Sequence, residues 1–510
     1  MEFKNGAYWK KIKMKAFKQS MRDLSARLQN SEGSEMLPEH KEFYEWFNNR
    51  HDDPFTVDIK KALHWFLEYM GRDNWLDRRK KVIEYFSKMA KSLYEEPERY
   101  DIESDEGRMA FYEDWVAWYL YLAESLADRP AVDEPSQSSR IWPFFATIGK
   151  YNVELKKVKG IDAKLHDLLK KKINQPDSIL FELVVAVCYL RNGWTVEFIP
   201  ETGKGKTPDL FVTRGDQNYF VECKRLAKVT EYSEEERSQW LKRWREVLPL
   251  LIQYPYSVFL DIEFKIEVAK TDVGLVAKAF HDMASSGAVK HGFCVENEHI
   301  KVCAKHMDMQ RIRDHFDKWM VKYPSPQLHA LFDDNYDPQG SYTNACIAKL
   351  VEISPDNESV INIFADKIDK AYCAKWECTA IESIDKKAKD VKNLLVKAVK
   401  QAPKNSSTII HIGYETLHGP HVEYVRDAKI VELLSNFEFG EKDIASIFCH
   451  SFQPRLFANN EWDFAETTRY FGINKDPNEL LNENLLMDRD GTLKANETHW
   501  SQDMAEYLSR

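Results

Sequence analysis

Residues 178–190 read Ser-Ile-Leu-Phe-Glu-Leu-Val-Val-Ala-Val-Cys-Tyr-Leu, and Glu182 is the only charge among them. A helix that is apolar nearly all round has no face to offer water, so other elements must enclose it. Gly193, just past its end, supplies a helix stop. The same enclosure makes Glu182 expensive, because a buried carboxylate needs a partner, a water or an ion. Two readings follow: a rim glutamate favoured by the helix dipole, or a member of a polar site.

The next polar residues are arranged to meet it. Residues 207–213 (Thr-Pro-Asp-Leu-Phe-Val-Thr) read as a strand, Gly215-Asp216 as a turn, and residues 219–224 (Tyr-Phe-Val-Glu-Cys-Lys) as the return strand. A hairpin folded about Gly215-Asp216 sets Arg214 opposite Gln217, Val212 opposite Tyr219 and Asp209 opposite Glu222. Alternation then puts Asp209, Glu222 and Lys224 on one face and Leu210, Val212, Tyr219, Val221 and Cys223 on the other. Two facing carboxylates repel unless a cation stands between them; Lys224 is one candidate and a divalent metal another. Hard oxygen ligands suit magnesium or manganese.

Around this core the chain changes rhythm. Up to about residue 130 it is all helical: Leu63, Phe66, Leu67 and Met70 make one apolar face, and Phe111, Trp115, Trp118 and Leu122 another. The aromatic side chains at these spacings are expected in a core rather than stacked on bases. A linker and a lysine-rich connecting helix are expected over 131–173. From 174 to about 455 short β runs (195–199, 209–213, 219–223, 258–268, 408–413, 444–449) alternate with helices (233–251, opening on a Ser233/Glu236 capping box, 384–402 and 429–437), an α/β grammar. Residues 270–380 read as a less regular insertion, and 456–510 as a polar extension.

Composition sets limits on function. With 43% hydrophobic and 13% aromatic residues the 510-residue chain has ample apolar material for several cores. It holds no apolar run long enough to span a bilayer, and no membrane partner is expected. The eight cysteines form no metal-ligand spacing and are expected to be reduced thiols of a cytoplasmic protein. A net charge of −10 means that any nucleic-acid contact must gather its positive charge locally.

Helix with Glu182, strand, Pro208-Asp209 and then Glu222-Cys223-Lys224 resembles the PD-(D/E)XK nuclease superfamily over residues 178–225. The resemblance implies a restriction-endonuclease-like domain, with a mixed central sheet flanked by helices, behind an all-α N-terminal domain. It implies a magnesium or manganese ion on Asp209, Glu222 and the carbonyl of Cys223, with Lys224 acting on the attacking water. Glu182 would hold a second metal or a water. The implied activity is phosphodiester hydrolysis, read as DNA endonuclease action in restriction, antiviral defence or repair. A non-catalytic nucleic-acid-binding protein retaining the fold is the alternative, and either is compatible with a homo-oligomer. Phosphate contacts are expected from Lys204, Lys206, Arg225 and Lys228, and a wider basic surface from Lys386, Lys387, Lys389, Lys392, Lys397 and Lys400.

Three other patterns fail on their surroundings. Residues 203–207 (Gly-Lys-Gly-Lys-Thr) have Pro200 where a P-loop needs glycine, and a strand follows. Residues 488–492 (Asp-Arg-Asp-Gly-Thr) leave too little chain for a phosphatase fold. His418, His421 and His450 are close only in sequence.

Overall fold

The computed structural model describes residues 53–95, 113–128, 135–200, 207–226, 230–352, 363–458, 461–487 and 498–509. The expectations for Lys204, Lys206 and Lys228 lie outside these residues, as do residues 488–492.

Helices α1 (Pro54–Met70), α2 (Arg72–Glu95), α3 (Trp115–Asp128) and α4 (Trp142–Lys150) form the N-terminal helical region. Asp53 caps α1 by accepting the Thr56 N–H at 3.1 Å. The α1 and α4 backbones touch at Gly149, where an added Cβ would stand 1.7 Å from the Asp58 carbonyl oxygen. Trp118 is buried, as its helical spacing predicts, and so is Trp142. The short α5 (Ile161–His166) follows, and then the long apolar helix α6 (Pro176–Arg191).

The first sheet takes β1 (Thr195–Phe198), β2 (Leu210–Arg214) and β3 (Gln217–Arg225) from the segment after α6. The chain then leaves through α7 (Glu231–Gln253) to a second six-stranded sheet. That sheet comprises β4 (Val258–Phe264), β5 (Phe293–Glu296), β6 (Ile300–His306), β7 (Val321–Lys322), β8 (Ser341–Glu352) and β9 (Ile363–Cys378), with α8 (Leu275–Ser285) packed beside β5 and β6. The described residues between 270 and 380 are therefore not irregular. They are most of a sheet that alternates buried and open positions, whose β4 is a neighbour of β9 rather than of β3. Helix α9 (Ile381–Gln401) brings the chain back, and β10 (Thr408–Glu415), α10 (Pro420–Ser435), β11 (Ile444–Leu456) and β12 (Trp462–Gly472) complete the first sheet in the order β1-β2-β3-β10-β11-β12. Helix α11 (His499–Ser509) ends the described chain.

Three further expectations need correction. The described residues just beyond 456 are not an appendage, because β12 pairs with β11 along its whole length and hides Phe464 in the core. Helix α7 starts at Glu231, not Ser233: Thr230 is its N-cap, its Oγ1 accepting the Ser233 N–H at 3.2 Å. Two cysteines are not thiols, since Cys294 and Cys303 face each other across β5 and β6 and form a disulfide.

The first sheet is mixed, with β3-β10-β11 parallel and both flanks antiparallel. One of its faces carries α6 and is continuous with the helical region: Phe144 of α4 meets Phe452 of β11 at 5.5 Å and Trp142 meets Trp462 at 5.0 Å. The other face carries α9 on Ile410 and Ile412 of β10. The enclosure that the apolar helix demanded is thus supplied by the sheet below and helices above.

Candidate active site

The hairpin has the register that its turn dictates. Arg214 pairs with Gln217, Val212 with Tyr219 and Leu210 with Val221, around Gly215 at φ 58°. Leu210, Val212, Tyr219, Val221 and Cys223 all enter the core under α6, so Glu222 and Lys224 project to the opposite face, alongside Ile410 and Ile412.

Regular pairing stops at Leu210, and Pro208 explains why. Phe220 donates its N–H to Ser407 beside it, so by alternation Val221 and Cys223 turn their backbone groups toward β2. A continued ladder would need an N–H from residue 208 to meet the Cys223 carbonyl, and proline has none. The Asp209 N–H instead goes to the Val221 carbonyl at 3.0 Å, one residue out of step. Its carboxylate Oδ2 takes the Cys223 N–H at 2.8 Å. Asp209 therefore caps the ladder, and the Cys223 carbonyl is left for a cation; here Lys224 Nζ donates to it at 3.2 Å.

Glu222 is fully buried. Lys224 Nζ bonds its Oε1, while Oε2 is enclosed with no hydrogen-bond partner. Burial, then Asp209, push the Glu222 carboxyl up to about 8 against the pull of Lys224. Glu182 sits across the sheet plane on α6, 8% exposed. Burial, then Asp209, raise it to about 7, opposed by Lys164. Asp209 is the carboxylate that acts most strongly on both glutamates. Of the four residues singled out in the sequence, Glu222 and Lys224 are in direct contact, Asp209 is bonded to Cys223 between them in sequence, and Glu182 is held by a lysine from elsewhere in the chain.

The chain matches no family model, no curated protein and no solved structure.

Lys164 joins the site unannounced, its Nζ 2.5 Å from Glu182 Oε2. A signal was present: Lys164 stands on the same helical face as Ile161, Leu165 and Leu168, at i, i+3, i+4 and i+7. Burial lowers the Lys164 pKa, but Glu182, with Asp209 and Cys223, more than offsets it and the net shift is upward; Lys224 is raised by Glu222, with Asp209 and Cys223, against burial in the same way.

Arg225 is not the surface phosphate contact expected of it. Its side chain is 3% exposed, lies over the Phe452 ring at 4.7 Å and bonds Glu415 Oε1 at 2.8 Å. One residue beyond Lys224, alternation turns it into the core beneath α4 and α6. Arg140 reaches the same Glu415 oxygen at 2.6 Å and also donates to Tyr119 Oη. Of the α9 lysines, Lys387 is buried on Glu236 at 2.8 Å and Lys386 is paired with Glu267, whereas Lys389, Lys397 and Lys400 are exposed. His450 joins no cluster with His418 or His421; its Nε2 meets His411 Nδ1 at 2.9 Å inside the sheet core. A separate polar cleft lined by Lys375, Trp376, Glu377, Lys387 and His418 contains none of the site residues.

Among the described residues, no set of three or more His, Cys, Asp or Glu side chains is gathered to hold a metal ion by itself. Magnesium keeps several waters, however, and is commonly held by one or two carboxylates. Asp209, Glu222 with its unsatisfied Oε2, and the Cys223 carbonyl released by Pro208 supply that number of oxygens and the right chemistry.

Proposed function

We propose that the chain is a divalent-metal-dependent phosphodiesterase, a DNA endonuclease of the PD-(D/E)XK type serving restriction, antiviral defence or repair. The observation that carries this reading is the end of the β2–β3 hairpin. There a buried carboxylate with an unsatisfied oxygen, a ladder-capping aspartate, a freed carbonyl and a lysine meet within a few residues.

Asp209, Glu222 and the Cys223 carbonyl would hold magnesium or manganese, whose chemistry when bound is to polarise the phosphate and acidify a water. Lys224 exchanges its bond to Glu222 for the attacking water and, later, for the charge that develops on the phosphate oxygens. Asp209 fixes the hairpin end through the Cys223 N–H, on the residue whose carbonyl would face the ion. Exposed Lys389, Lys397 and Lys400 offer positive charge for a nucleic-acid backbone on an otherwise acidic protein.

Incubation of supercoiled plasmid and single-stranded DNA with the protein in magnesium or manganese is the test. Wild type nicks or linearises at least one substrate, EDTA abolishes cutting, and Asp209→Ala and Lys224→Met lose about 10³-fold or more. Full burial of Glu222 favours a second reading, a nucleic-acid-binding protein that keeps the fold without the reaction. DNA binding with no cutting under either metal would select it.

A further inference from the structure

Lys164 has no part in the reaction as described, yet it is as enclosed as the carboxylate it touches. It is 6% exposed, Glu182 is 8% exposed, and Nζ to Oε2 is 2.5 Å. It arrives from α5, outside both the hairpin and α6. That segment is fixed to the sheet edge: the Phe198 N–H donates to the Lys159 carbonyl at 2.9 Å, and Ile161, Leu165 and Leu168 seat the helix in the core. The lysine stem passes the Phe198 ring, with Nζ 5.8 Å from its centroid. An ammonium delivered on a fixed stem loses little freedom on binding, so it competes strongly with any free cation for Glu182.

We propose that Lys164 stands in for a second divalent ion, making this a one-metal centre in which Glu182 is held by an internal cation. The inference rests on the metal-dependent reading above and concerns how many ions that site takes. Charge supports it. With all three carboxylates ionised, as a bound ion favours, Glu182, Asp209 and Glu222 against Lys164 and Lys224 leave one negative charge, which one divalent ion turns into one positive, the complement of a phosphodiester. A second ion would leave three positive charges in an enclosed volume, where like charges interact strongly. Lys164 acts through Glu182 and is therefore a positioning residue.

Manganese titration of the full chain, followed by loss of the free-ion paramagnetic resonance signal, reads the stoichiometry directly. Wild type binds one ion that Asp209→Asn abolishes. Lys164→Met gains a second, weaker ion, Lys164→Arg stays at one, and the double variant Lys164→Met, Glu182→Gln returns to one. Two ions in wild type, both lost in Asp209→Asn, would overturn the assignment while leaving the nuclease reading intact, and this result needs no Lys164 variant to fold. A single ion in a folded Lys164→Met protein would also overturn it. If wild type binds no Asp209-dependent manganese, the metal reading itself falls, and this inference with it.

Discussion

At the residue scale, two glutamates of the candidate site sit where ionisation is costly. Glu182 and Glu222 are pushed up to about 7 and about 8 by burial first and Asp209 second, with Lys164 and Lys224 pulling the other way. Each folded-state value lies above the ordinary 4.5, so between those limits the folded protein holds more protons than the unfolded chain. Stability from these groups is full below about pH 4.5 and is lost as the pH rises through 7 to 8. Metal-free wild type should therefore melt at a lower temperature at about pH 8.5 than at about pH 5.5, and Glu222→Gln should flatten the difference. Manganese should restore the loss at the higher pH, because the ion favours the ionised carboxylates and its binding releases protons. Thermal unfolding with and without EDTA checks all three.

At the element scale, Pro208 sets the geometry. By withholding one N–H it stops the β2–β3 ladder at Leu210, and Asp209 becomes a cap instead of a strand residue. The hairpin was legible in advance because its turn is short and its alternation strict; every pair from Arg214↔Gln217 to Leu210↔Val221 follows from Gly215-Asp216. The second sheet was not legible, because its strands are separated by short helices and its β8–β9 pairing carries register shifts that blur the period of two. Arg225 was misread because adjacency to Lys224 suggested a shared role, whereas one step along a strand reverses the face. The start of α7 was misplaced because Ser233 and Thr230 are both good caps, and only the backbone turn decides between them. Thr230→Ala should accordingly cost about 1 kcal/mol in urea unfolding, by loss of the bond to the Ser233 N–H. Ser233→Ala should cost less.

At the scale of the whole molecule, the helical region and the candidate active strand are joined by charge as well as by apolar packing. Arg140, just ahead of α4, and Arg225 at the end of β3 share Glu415 of β10, all three side chains being 5% exposed or less. Glu415→Ala would leave two buried guanidinium groups without their common carboxylate, at a cost of about 3–5 kcal/mol read from denaturant unfolding. Because Arg225 follows Lys224 directly, the same change should slow cleavage more than it weakens DNA binding. Between these scales one claim is central: Asp209, Glu222 and the Cys223 carbonyl form a site for a hard divalent ion, with Lys224 beside it. A crystal of the protein grown with manganese, with diffraction recorded at an energy where manganese scatters anomalously, tests it most directly. The account predicts one anomalous peak about 2.1 Å from an Asp209 oxygen, a Glu222 oxygen and the Cys223 carbonyl. A peak elsewhere, or Asp209 and Glu222 carboxylates too far apart to share an ion in manganese-soaked crystals, would contradict it.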